Sequence, residues 1–156
     1  MGTRYYKQVQ KHFRFLIDEY GFSVEKQEEG RGYCLVAFRQ KGLFRPKICR
    51  VRVSREAGRV QVDIAPLSAP NDWFSLATVI QYLTPGAENP WTYDEVYDPK
   101  TGKQLENLAE VLRSHFDTIL QLFQKSTFKQ KREELIAHRR KREAAALARM
   151  EGKPQG

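Results

Sequence analysis

The run Lys47-Ile48-Cys49-Arg50-Val51-Arg52-Val53-Ser54, then Arg55-Glu56-Ala57-Gly58-Arg59, then Val60-Gln61-Val62-Asp63-Ile64-Ala65-Pro66, decides the fold. Two alternating apolar and polar segments flank a loop containing glycine, which predicts a β-hairpin with a several-residue turn. Pairing Val53 with Val60 sets Val51 against Val62 and Cys49 against Ile64, and leaves Arg50 and Arg52 on the opposite face with Asp63 and Gln61. A one-residue slip would set apolar against polar along the whole ladder, so the faces are well specified.

Upstream, Phe22 to Gln27 and Tyr33 to Gln40 read as two further strands around the turn-like Glu28-Glu29-Gly30-Arg31-Gly32. Val24 then meets Val36 and Phe22 meets Phe38, while on the next ladder Val36 meets Val51 and Phe38 meets Cys49. A four-stranded antiparallel meander follows, with Phe22, Val24, Cys34, Val36, Phe38, Cys49, Val51, Val53, Val60, Val62 and Ile64 on its inner face. In this register Cys34 lies beside Val53, about 13 Å along the strand from Cys49, too far for a disulfide. The outer face mixes Tyr33, Leu35, Ala37 and Ile48 with Arg39, Arg50, Arg52, Gln61 and Asp63. A solvated face would be more polar, so a cover is expected: the C-terminal tail, a second copy of the chain in a homodimer, or a separate partner.

Helical periodicity brackets the sheet. Tyr6, Val9, Phe13, Leu16, Ile17 and Tyr20 predict a helix over 3–20, stopped by Gly21. Pro70, Asn71 and Asp72 precede a second helix from Trp73 to Leu83, and Thr84-Pro85-Gly86 ends it. A loop over 87–103 leads to a third helix over 104–124, striped by Leu105, Leu108, Leu112, Phe116, Ile119, Leu120 and Phe123. Thr127 and Gln130 have capping-box spacing for a last helix. Few large apolar residues follow, so that helix is expected to project from the domain. The expectation is an α+β domain over 1–125 with helices packed on one face of the sheet, a basic helical extension over 126–150 and a disordered tail over 151–156.

At 156 residues the chain suits one domain. Its net charge of +8 is concentrated in residues 126–156, where nine Lys or Arg face four Glu. The remaining 125 residues are nearly balanced, with 18 basic against 15 acidic side chains. No apolar run approaches the roughly 18 residues of a membrane span. The start lacks a signal-peptide core, and Tyr6 stands where myristoylation wants Ser or Thr, so the protein reads as cytoplasmic.

The run Phe15-Leu16-Ile17-Asp18-Glu19-Tyr20-Gly21-Phe22, the alternating strands ending at Val62-Asp63-Ile64, and then Trp73, Leu76, Ile80 and Leu83 resemble small uncharacterised bacterial proteins of the immunity-protein type. The resemblance covers roughly residues 3–123 and implies a non-enzymatic binder of a protein partner. The basic tail departs from that pattern.

Enzyme signatures are missing. Gly102-Lys103 lacks the rest of a P-loop, and His12, His115 and His138 are scattered with no H-E-x-x-H or Cys/His spacing. Cys34 and Cys49 have no metal spacing and read as reduced strand residues. No cofactor or metal is expected. The aromatic and acidic loop with Trp91, Tyr93, Asp94, Glu95 and Tyr97 is the candidate partner-binding segment, since Trp and Tyr give large contact area at low entropic cost. The alternative is a nucleic-acid adaptor whose tail residues Lys129, Arg132, Arg139, Arg140 and Arg142 make nonspecific phosphate contacts. A membrane surface is disfavoured by the lack of a Trp- and Leu-rich face.

Overall fold

Gly21, at φ 73°, ends the first helix in the left-handed conformation that glycine tolerates best and turns the chain directly into the sheet. The computed structural model describes residues 2–41, 47–56, 59–85 and 102–150. In order these form α1 (Gly2–Tyr20), β1 (Phe22–Gly30), β2 (Tyr33–Gln40), β3 (Cys49–Glu56), β4 (Arg59–Pro66), β5 (Phe74–Ser75), α2 (Leu76–Leu83), α3 (Lys103–Phe123) and α4 (Lys125–Met150). The strands make one antiparallel sheet in sequential order, so the protein is α+β with five strands rather than the expected four.

In both hairpins the strand pairing runs further toward the turn than expected. Gly30 pairs with Tyr33, so Arg31 and Gly32 make the first turn, and on the second hairpin Glu56 pairs with Arg59. Val53 therefore pairs with Val62 instead of Val60, and Val51 with Ile64. Between β2 and β3, Val36 meets Val53 and Phe38 meets Val51. Cys34 lies opposite Arg55. Each of these ladders is displaced by two residues from the expected one. Side chains alternate with a period of two, so the displacement keeps every residue on its expected face. Among the described residues both cysteines are free. In β1 the register shifts between Val24 and Lys26, which leaves Glu25 in a bulge.

The inner face of the sheet, α1, α3, α2 and the first half of α4 share one buried cluster. Phe116 of α3 is a hub: its ring lies 6.2 Å from Phe15, 4.6 Å from Tyr20 and 5.7 Å from Phe22. On α1 the buried stripe is Tyr5, Val9, Phe13, Phe15 and Leu16, whereas Ile17, expected inside, is 36% exposed. Buried Gln40 joins three elements: its Nε2 donates to the Tyr20 carbonyl at 3.1 Å, and its Oε1 accepts from the backbone N–H of Ile48 at 2.9 Å.

Two differences lie around α2 and α4. Trp73 to Ser75 is not helical, because Phe74 and Ser75 pair with Ile64 and Asp63. Ser75 then caps α2, its hydroxyl accepting from the Thr78 N–H at 3.2 Å. Helix α4 does not simply project. Phe128, Leu135 and Ile136 are buried, and the Phe128 ring stacks 5.6 Å from Phe123 and packs 6.0 Å from Phe74. Farther along, Leu147 is 58% exposed. Residues 151–156, expected as a disordered tail, lie outside the described residues.

Candidate functional site

The outer face of the sheet is built from side chains that alternate with the core residues, and it is dominated by arginine. Arg39 and Arg50 are cross-strand partners, as are Arg52 and Asp63. Like charges placed directly opposite repel, and the bulge resolves this by aiming Glu25 between them. The Glu25 carboxylate accepts from Arg50 Nε at 3.1 Å and lies 3.8 Å from Arg39 Nη1. Arg52 donates to Asp63 Oδ2 at 3.1 Å, and Gln61 Nε2 donates to Asp63 Oδ1 at 2.7 Å. Buried Asp63 is thereby fully paired.

Half-buried Trp73 lies across this arginine pair. The Arg52 guanidinium carbon is 4.2 Å from the Trp73 ring centre and that of Arg50 is 4.8 Å away. Arg50 also donates to the Pro70 carbonyl at 2.6 Å. Part of the expected cover for the outer face is thus the chain's own Pro70–Trp73 connection.

Asp72, next to Trp73, ties this cluster to α4. It accepts from Arg132 Nε at 3.0 Å and from Arg139 Nη1 at 3.3 Å. Arg139 donates in addition to the Trp73 carbonyl at 3.1 Å and lies over the Phe74 ring at 4.6 Å. Tyr82 of α2 adds a third tie, its hydroxyl donating to Glu134. Burial and that hydrogen bond push the Tyr82 hydroxyl up to about 12, and the same contact, with Lys131, holds the Glu134 carboxyl below its usual range. The two helices also meet where His138 stands edge-on to Tyr82 at 5.4 Å.

The tail residues marked out for phosphate contact therefore do not share one exposed face. Arg132 and Arg139 point toward Asp72, Arg142 is half-buried, and Lys129 and Arg140 are exposed. Lys129, Arg140 and Lys141 have no ionic partner among the described residues. The candidate partner-binding segment, with Trp91, Tyr93, Asp94, Glu95 and Tyr97, lies outside the described residues. The Arg50–Arg52–Trp73 cluster, which sequence reasoning missed as a unit, had one available signal: two arginines alternating on an outer strand face before a tryptophan in a proline-flanked connection.

His115 places Nδ1 3.0 Å from the Val111 carbonyl, a contact within its own helix. Burial pushes the Cys34 thiol up, away from thiolate reactivity, and does so more strongly at Cys49. Among the described residues no group of three or more His, Cys, Asp or Glu could hold a metal ion, and no helix is long and apolar enough to cross a membrane. No family model, no curated protein and no solved structure matches the chain.

Proposed function

We propose that this chain is a non-catalytic binding protein that masks or scaffolds a protein partner in the cytoplasm, in the manner of a bacterial immunity or accessory protein. The observation that supports this most is the fate of the tail arginines. Arg132 and Arg139 are each paired with Asp72, so α4 offers scattered lysines and Arg140 in place of an unbroken cationic stripe. Phosphate-backbone binding draws its affinity from clustered, available cations. A protein partner needs instead a shaped surface with Arg, Trp and Tyr anchors, which the outer sheet face carries in Arg39, Trp73 and Tyr33. In this reading the helices occupy one face of the sheet, and the other face, with the Trp91–Tyr97 segment, meets the partner.

A second reading retains one specific support. Exposed Lys129, Arg140 and Lys141 can make nonspecific phosphate contacts. Co-purification of the tagged protein from its native cells, with and without nuclease, separates the two. A stoichiometric protein that survives nuclease and moderate salt is the expected result. Recovery of nucleic acid alone, or of partners lost on nuclease treatment, overturns the protein-binding reading.

A further inference from the structure

An open cavity of about 390 Å³ lies where the two residues leading into β3, the segment after β4 and the α3–α4 junction converge, walled by Lys47, Ile48, Ser68, Phe123, Gln124 and Lys125. Its walls are fixed by hydrogen bonds to backbone groups, one of them made with the Gln40 side chain. The Ile48 N–H donates to Gln40 at 2.9 Å, the Ile48 carbonyl accepts from Leu67 N–H at 2.8 Å, and the Gln124 carbonyl accepts from Phe128 N–H at 2.8 Å. The volume falls at the small end of the range of about 300–1,000 Å³ typical of ligand pockets, enough for one or two side chains.

Lys47 and Lys125 bring two cations to this one cavity. Arg50, Arg52, Arg132 and Arg139 each have a carboxylate partner, whereas Lys47 and Lys125 are exposed and have none among the described residues. They stand beside an apolar floor of Ile48 and Phe123. Two uncompensated ammonium groups beside an apolar patch are complementary to a carboxylate with an aliphatic neighbour.

Resting on the protein-binding reading, we propose that this cavity receives an acidic side chain of the partner, its carboxylate between Lys47 and Lys125 and the adjacent aliphatic side chain against Ile48 and Phe123. A bare phosphate would leave the apolar floor without a partner, which is why the occupant is an acidic peptide segment and not a nucleic-acid backbone.

The test is a titration of the isotope-labelled full-length chain, followed by amide NMR shifts, with acetyl-Ser-Leu-Asp-Glu-Ser-amide. The uncharged acetyl-Ser-Leu-Asn-Gln-Ser-amide and inorganic phosphate serve as comparisons. Saturable shifts confined to residues 47–48, 68 and 123–127 are expected, with affinity about fivefold weaker for Lys47→Gln, for Lys125→Gln and for the uncharged peptide. Both lysines are exposed, so neither substitution threatens folding. No saturable shift, shifts elsewhere, or an equal response to inorganic phosphate overturns the proposal. The nuclease-resistant partner provides the separate check. If the Lys47→Gln/Lys125→Gln chain captures it as well as the native chain, the cavity is not the docking point and the binding reading stands. If the native chain captures no protein, the binding reading fails whatever the peptide does.

Discussion

Replacing Leu135 by alanine asks whether α4 is a structural wall or an appendage. Leu135 is 0% exposed within the shared core. Truncation of such a leucine removes the transfer free energy of its buried carbons and leaves a cavity, at a cost of about 2–5 kcal/mol. Alanine is the better helix former, but only by a few tenths of a kcal/mol. The net loss should be about 3 kcal/mol. For a chain of this size each kcal/mol lowers Tm by about 2–4 °C, so the expected fall is about 6–12 °C by far-UV circular dichroism. Leu147→Ala, at a 58% exposed position of the same helix, supplies the control and should leave Tm unchanged. On a helix that merely projected, both substitutions would be neutral or slightly stabilising. A Leu135→Ala effect below about 0.5 kcal/mol, the size of an ordinary surface change, would refute the packing argument.

Asp72→Asn removes the charge that holds Arg132 and Arg139, and should cost about 1–2 kcal/mol, since both arginines are partly solvated. Hydrogen exchange should quicken across residues 125–142 and not across α1, and a uniform change would contradict the assignment. Stability should also decline at high pH. Burial, followed by hydrogen bonds to Asp117 and Glu134, pushes Tyr20 and Tyr82 up to about 12, above the usual value of about 10. A raised value favours the protonated folded state, so this contribution is full below pH 10 and is lost between about pH 10 and 12 as the unfolded chain ionises first. Urea midpoints measured against pH should show that decline, and Tyr82→Phe should flatten part of it. Gly32→Ala should cost about 1–2 kcal/mol by equilibrium denaturation, because φ is +72° and the added methyl meets nothing within 4 Å. Gly32→Asn should cost less.

The faces of the sheet were legible because alternation fixes them, and the ladders were not because alternation repeats every two residues. Val53 can face Val60 or Val62 with the same inner and outer sets. Turn length breaks the tie: Gly30 pairs with Tyr33 and Glu56 with Arg59, where the sequence suggested connections of five or more residues. The short β5 was hidden for another reason. Trp73, Leu76, Ile80 and Leu83 keep helical spacing, but Phe74 pairs with Ile64, and Ser75, not Asp72, caps the helix. Asp72 looks like a cap from its neighbours in sequence; its partners lie more than fifty residues away on α4.

The same long-range partner explains why α4 packs on the domain instead of projecting from it. Counting apolar residues after Thr127 finds few, yet Phe128, Arg132, Leu135, Arg139 and Arg142 recur at steps of four, three, four and three, which is one face of a helix. Arginine can occupy such a face because its stem covers apolar surface while its guanidinium reaches a carboxylate or an aromatic ring. Arg139 does both, over Phe74 and against Asp72. The formal charge of the tail therefore overstates what it presents to a partner. Among the described residues of α4, Lys125, Lys129, Arg140 and Lys141 have no carboxylate partner. Lys125 is set apart from the others because Lys47 faces the same cavity. That pairing of positions 47 and 125, on opposite sides of the β-hairpin in sequence, exists only after the hairpin and α3 have packed, which is why no scan of charge along the chain could find it.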